Sequence, residues 1–209
     1  LLVETKTKMF CSCDNRGEFL PPNTAICPVC TGQLGVLPVP NQQAIEWGVK
    51  MALALNCKIN SLSKFDRKHY FYPDLPKGYQ ISQFDLPIGE KGWLEIDSPE
   101  DIDDTKIEKI LDEENPKSLT LKRTKNKKID ITRLHLEEDA AKNLHSPEGT
   151  LVDFNRAGTP LVEIVTEPDI ASASEAKLFL QELQNLAKFL KISDAEMEKG
   201  HLRCDVNVS

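Results

Sequence analysis

Thr132-Arg133-Leu134-His135-Leu136-Glu137-Glu138-Asp139 packs an imidazole and three carboxylates into eight residues. Before it, Ile129 and Ile131 alternate with polar residues; within it, Leu134 and Leu136 do the same. A period of two is the signature of a strand. The apolar parity changes between Ile131 and Leu134, which predicts a bulge or register break near Thr132. On a strand, Arg133, His135, Glu137 and Asp139 share one face while Leu134 and Leu136 share the other. Hard oxygen donors beside a ring nitrogen suit Mg²⁺ with phosphate better than a structural zinc. A solvated edge strand carrying charge fits the same letters, and the pattern alone leaves both readings open.

Gly92–Ile96 reads as a short strand and the natural partner of 129–136. Leu161–Glu167 reads as another, with Glu163, Val165 and Glu167 on one face and Val162 and Ile164 on the other. Ser172 and Glu175 form a capping box, followed by a helix whose apolar stripe is Ala176, Phe179, Leu180, Leu183, Leu186, Ala187 and Leu190. An earlier helix opens at Asn41 as N-cap, carries Ile45, Val49, Ala52 and Leu53 at helical spacing, and ends near Asn56. His201–Val208 alternates cleanly and reads as a further strand, with Leu202, Cys204, Val206 and Val208 toward a core. Helices packed on an antiparallel sheet make the class α+β.

The chain has 209 residues, 40% hydrophobic and 28% charged, an ordinary globular composition. No apolar run is long enough to span a membrane, so no membrane role is expected. A net charge of −7 argues against wrapping nucleic acid by overall electrostatics; such a contact needs a local basic patch. No secretory leader is evident, and the six cysteines then point to a reducing compartment and metal binding.

Four of those cysteines are paired: Cys11-Ser12-Cys13, thirteen residues, then Cys27-Pro28-Val29-Cys30. Two close pairs across an irregular loop containing Pro21, Pro22 and Asn23 predict a structural Zn²⁺ knuckle over residues 8–33. A redox role for Cys27 and Cys30 lacks the strand–helix setting such motifs use. Cys57 and Cys204 read as buried small hydrophobes.

All three tyrosines, Tyr70, Tyr72 and Tyr79, fall within residues 63–84, among Lys64, Arg67, Lys68 and Lys77. Basic groups interleaved with aromatics suit a phosphate-bearing ligand whose base needs a stacking surface. An aromatic mini-core with a charged rim is the plainer alternative. Residues 97–128 change character, with nine acidic residues up to Glu114 and six basic ones from Lys117 onward. They read as a charged, solvated insertion, with a helical turn around Ile107–Leu111.

Taken together, Lys8-Met-Phe-Cys-Ser-Cys13, Lys64-Phe-Asp-Arg-Lys-His-Tyr-Phe-Tyr-Pro-Asp74, Tyr79-Gln-Ile-Ser-Gln-Phe-Asp85, Arg133–Asp139, Thr159–Asp169 and Leu202-Arg-Cys-Asp205 resemble the B subunits of glutamyl/aspartyl-tRNA amidotransferases. The archaeal E-type subunit is the nearest relative of that family. The resemblance covers nearly the whole chain outside 97–128 and implies a glutamine synthetase-like catalytic cradle over 1–209. It implies a bacterial cytoplasmic or organellar ligase that uses ATP and Mg²⁺ to phosphorylate the side-chain carboxylate of Glu on tRNA(Gln) or Asp on tRNA(Asn). Ammonia then displaces phosphate; an amidase (A) subunit supplies it, and a small C subunit joins the other two. The absence of a Gly-x-x-x-x-Gly-Lys-Ser/Thr loop fits carboxylate-held metal.

By the same resemblance, His135, Glu137 and Glu138 correspond to the metal and phosphate motif, with Asp205 and Arg203 from a later strand and Glu163 and Glu167 lining the site. Lys64, Arg67, Lys68, Tyr70, Tyr72, Tyr79, Gln80, Ser82, Gln83 and Arg156 would serve the nucleotide or the tRNA acceptor end. Cys11, Cys13, Cys27 and Cys30 correspond to the zinc knuckle. The family's opening Gly-Leu-Glu-Ile/Val-His segment and its tRNA-gripping helical domains are expected before Leu1 and after Ser209. Two other classes compete: a non-catalytic zinc-ribbon module that binds tRNA, and a metal-dependent hydrolase. The hydrolase is weakest, for lack of a His-Glu-x-x-His motif.

Overall fold

A computed structural model describes residues 1–97 and 126–208. The expected helical turn at 107–111 and most of the charged insertion lie outside those residues. The first helix, α1 (Gln42–Ala54), starts where Asn41 Oδ1 accepts from Ala44 N at 3.1 Å. Strands β1 (Lys58–Ile59), β2 (Asp66–His69), β3 (Tyr79–Ser82), β4 (Gly89–Ile96), β5 (Lys127–Glu138), β6 (Lys142–Ser146), β7 (Gly149–Asp153) and β8 (Pro160–Thr166) follow. The second long helix, α2 (Ala173–Phe189), starts at Ser172, whose hydroxyl accepts from Glu175 N at 3.2 Å, as the capping box predicts.

The main sheet has the order β1-β4-β5-β8 and every neighbouring pair is antiparallel. The register of β5 against β8 shifts between Ile131 and Arg133, the site of the predicted bulge. The shift explains how Ile129 and Ile131 share a core with Leu134 and Leu136 despite their opposite parity. All four are almost wholly buried. Ala44, Met51 and Ala52 of α1 and Phe179, Leu183 and Ala187 of α2 complete that core. Gly48 lets α1 approach β5 closely: a Cβ there would sit 3.1 Å from Leu136 Cδ2.

β5 is interior to the sheet, so the edge-strand reading is set aside. Its two edges are satisfied differently. The ladder with β4 ends at Gly89 opposite Leu134. Beyond that point, side chains from β3 and the residue after it take the place of a neighbouring strand. Gln83 Oε1 accepts from Leu136 N at 3.0 Å, and Gln80 Nε2 donates to Glu138 O at 2.6 Å. Buried backbone groups require such partners.

Two small antiparallel pairs flank the sheet. β2 and β3 form one, and β6 and β7 form the other, a hairpin turning through Pro147 and Glu148. The second hairpin has no counterpart in the sequence reading. Leu144 and Leu151 face each other across it and are both exposed. The strand expected over 201–208 does not form among the described residues. Residues 202–208 pair with no strand among the described residues, only Leu202 is buried, and Cys204, Val206 and Val208 are exposed. Alternation marks an amphipathic tendency; without a neighbour to accept its hydrogen bonds, a strand does not form there.

Candidate active site and metal centre

Interior placement on β5 buries His135 and Glu137, which are 3% and 6% exposed. Their shared face is completed by Glu163, directly opposite His135 on β8. One ligand atom from each of His135, Glu137 and Glu163 lies within 4.8 Å of the others. His135 Nε2 is 3.3 Å from Glu163 and 3.8 Å from Glu137, while buried His135 Nδ1 has no hydrogen-bond partner. Burial works to lower the His135 pKa, but hydrogen bonds to Glu137 and Glu163 outweigh it and the net shift is upward. The hydrogen bond from His135 holds the half-exposed Glu163 below the usual carboxylate range. Ser82 Oγ donates to Glu137 Oε2 at 3.1 Å, fixing that carboxylate from β3.

Glu138 is set apart from this group. It follows the parity of Leu134 and Leu136 and enters the opposite side of the strand. There it forms a buried ion pair with Lys77 and accepts from Ile81 N at 2.9 Å. Burial pushes its carboxyl up against the opposing pull of the Lys77 ammonium. The sequence places Lys77 among the basic groups of the aromatic stretch, and nothing local marks it as the partner of Glu138.

Asp139, at the end of the His135 face, gathers two guanidiniums. Arg203 Nη2 donates to Asp139 Oδ1 at 2.7 Å, and Arg156 Nε lies 3.3 Å from Oδ2. Arg156 also donates to the carbonyls of Ala140 and Ala141. Both guanidinium side chains stay partly exposed, 30% for Arg156 and 49% for Arg203. Asp205 is exposed and stands outside the His135 group. Glu167 accepts from Thr132 Oγ1 at 2.7 Å. It lies four residues beyond Glu163, roughly 13 Å along an extended chain.

The basic and aromatic residues gather on and around the β2–β3 pair. Arg67 stacks over Tyr79 at 4.5 Å and Lys68 over Tyr70 at 5.5 Å. Tyr70 donates to Gln80 Oε1, and Tyr72 is exposed. Lys64 pairs with Asp66 and Asp85, which neutralises it locally. Gln80, Ser82 and Gln83 use their side chains on β5, so they join this pair to the carboxylate strand.

The four cysteine sulfurs of Cys11, Cys13, Cys27 and Cys30 converge within 4.8 Å of one another and can hold a metal ion. Asn155, only 2% exposed, ties their loop to the turn before β8. Its Oδ1 accepts from Ala25 N at 2.8 Å, and its Nδ2 donates to the carbonyls of Gly17 and Pro21. The Cys30 thiol is pulled down to about 4, first by a hydrogen bond from Cys11, whose own thiol is raised by the same bond. Burial pushes Cys13 up to about 11. A narrow cavity lined by Cys11, Cys30, Lys77, Glu138 and Gly158 separates the cysteines from the Lys77–Glu138 pair.

An antiparallel α+β domain with an acidic, histidine-bearing interior strand and a tetracysteine lobe has a counterpart among known families. A family model described as GatB/GatE catalytic domain matches residues 1–209, and the chain belongs to that family. It is 53% identical over 213 residues to the B subunit of the aspartyl/glutamyl-tRNA(Asn/Gln) amidotransferase of Thermotoga petrophila, covering 99% of this chain and 39% of that protein. The proteins of the same name from Persephonella marina and Brevibacillus brevis are each 50% identical, over 208 and 210 residues. In both, the match covers 99% of this chain and 38% of the relative. No helix among the described residues is long and apolar enough to cross a membrane.

Proposed function

We propose that residues 1–209 form the catalytic cradle of a tRNA-dependent amidotransferase, with a fold similar to that of glutamine synthetase. The side-chain carboxylate of Glu on tRNA(Gln), or of Asp on tRNA(Asn), attacks the γ-phosphorus of ATP and ADP leaves. Ammonia then adds to the acyl phosphate, and phosphate departs to leave the amide. An amidase (A) subunit supplies the ammonia, a C subunit joins the assembly, and the complex works in the cytoplasm or an organelle. The observation that carries this reading is the convergence of buried His135 and Glu137 on β5 with half-exposed Glu163 on β8, together with the arginine pair on Asp139.

Glu137 and Glu163 offer hard oxygens within 4.8 Å of a His135 ring nitrogen, and the two carboxylates fit Mg²⁺. When bound, that ion neutralises charge between two anionic reactants. The chain's own residues position the rest. Ser82 orients Glu137, and Asp139 holds Arg156 and Arg203 toward an anionic group. Arg67, Lys68, Tyr70, Tyr72 and Tyr79 supply a basic, aromatic surface for the nucleotide or the acceptor end of tRNA. Cys11, Cys13, Cys27 and Cys30 would hold a structural Zn²⁺.

The test uses the full-length protein with its partner subunits, Glu-tRNA(Gln), ATP and ammonium. ATP consumption should depend on the misacylated tRNA and fall about 100-fold in Glu137→Gln. Binding of tRNA with no ATP consumption would overturn the reading in favour of a non-catalytic zinc-ribbon module.

A further inference from the structure

Lys8 is fully buried, an uncommon place for a lysine. Its Nζ has three acceptors: Ala25 O at 2.7 Å, Phe154 O at 3.5 Å and Cys30 Sγ at 3.8 Å. Three acceptors match the three N–H donors of an ammonium and exceed the two of a neutral amine. Among the described residues, Lys8 has no ion pair with a carboxylate. A buried ammonium without a counter-charge costs several kcal/mol. Two neutral carbonyls do not supply that charge, whereas thiolates holding a metal would. Cys30 is also the one cluster cysteine that is buried, so the ammonium meets the cluster on its inner side.

We infer that Lys8 is the countercation of a metal–tetrathiolate centre, and that its charge and N–H···S contact on Cys30 set how tightly the metal is held. The inference rests on the reading that the four cysteines bind zinc. Four thiolates around a divalent cation leave an excess of negative charge, and burying that excess is unfavourable unless a fixed cation offsets it. The position is built into the backbone. Lys8 N donates to Cys13 O at 3.0 Å, and Asn41 Nδ2 donates to Lys8 O at 3.3 Å. A Cβ on Gly158 would lie 3.5 Å from Lys8 Cδ, so the lysine stem runs past the turn that enters β8. Lys8 thereby joins the cysteine lobe to the strand that carries Glu163.

The experiment measures zinc in the full chain by chelator competition, for wild type and Lys8→Met. Lys8→Gln, which keeps a donor but no charge, serves if the methionine variant does not fold. Wild type should hold one zinc per chain, and loss of the charge should weaken it about 10- to 100-fold, the range for an outer partner of a metal ligand. With Co²⁺ in place of zinc, the thiolate-to-metal charge-transfer bands should move to lower energy in the variant; a merely structural lysine would leave them in place. Wild type without stoichiometric zinc overturns the metal reading itself. Wild type with zinc, but equal affinity and unchanged bands in the variant, overturns the role of Lys8 alone.

Discussion

Lys77 and Glu138 form an ion pair with both side chains almost wholly removed from water, 5% and 3% exposed. Breaking such a pair on one side leaves an uncompensated buried charge, at a cost of about 3–5 kcal/mol. Lys77→Met should therefore destabilise the domain by about that amount. Lys77→Met combined with Glu138→Gln should recover much of the loss, because the second change removes the orphaned charge. Denaturant unfolding of both single variants and the double variant gives the coupling directly. Additive losses would show that the pair does not act as a unit.

The facing pair His135 and Glu163 predicts a pH dependence in chelator-treated protein. His135 is held above its ordinary value of 6.5, so its share of stability is full below 6.5 and is lost as pH rises through the folded value. Glu163 is held below its ordinary 4.5, so its share is full above 4.5 and is lost as pH falls through the folded value. The difference in Tm between wild type and Glu163→Gln should be greatest between pH 4.5 and 6.5 and shrink on both sides. A difference that keeps growing toward alkaline pH would contradict the pairing. Because Glu163 is half-exposed, added salt should reduce the effect.

Close approach at Gly92 makes a sharper packing prediction. A Cβ there would collide with Cys57 Sγ and lie 2.5 Å from Leu55 O. One of those atoms is backbone and cannot swing aside, so Gly92→Ala should cost about 1–3 kcal/mol or more. Gly35 has positive φ but open space around it, and Gly35→Ala should cost less. Thermal unfolding of the two variants ranks them.

The sheet was legible where a residue's neighbours in sequence decide its place. The shift at Thr132 and the caps at Asn41 and Ser172 follow from parity and local hydrogen bonding. Legibility failed where distant partners decide. Glu137 and Glu138 are adjacent letters, yet the strand sends one toward His135 and the other toward Lys77. Gln80 and Gln83 read as ligand-binding groups by resemblance, but no pattern reveals that they stand in for a missing strand beside β5. The β6–β7 hairpin is short of β-branched residues and mostly exposed, so it leaves little periodic signal. Residues 202–208 show the reverse error, alternation with no partner to pair it.

Cross-strand register separates two carboxylates that the sequence treats alike. Glu163 and Glu167 share one face of the 161–167 stretch by parity, but only Glu163 lies opposite His135. Glu167 is occupied by Thr132 near the bulge. Glu163→Gln should weaken Mn²⁺ or Mg²⁺ binding to the full-length protein at least about tenfold, in line with losses from disturbed metal sites. Glu167→Gln should leave that affinity within about twofold, since its carboxylate is roughly 13 Å further along the chain. Titration of both variants with Mn²⁺, followed by the spin resonance of the free ion, measures the two affinities on one scale. Equal losses would place the cation along the whole face of β8, whereas no loss in Glu163→Gln would remove Glu163 from the proposed ligand set.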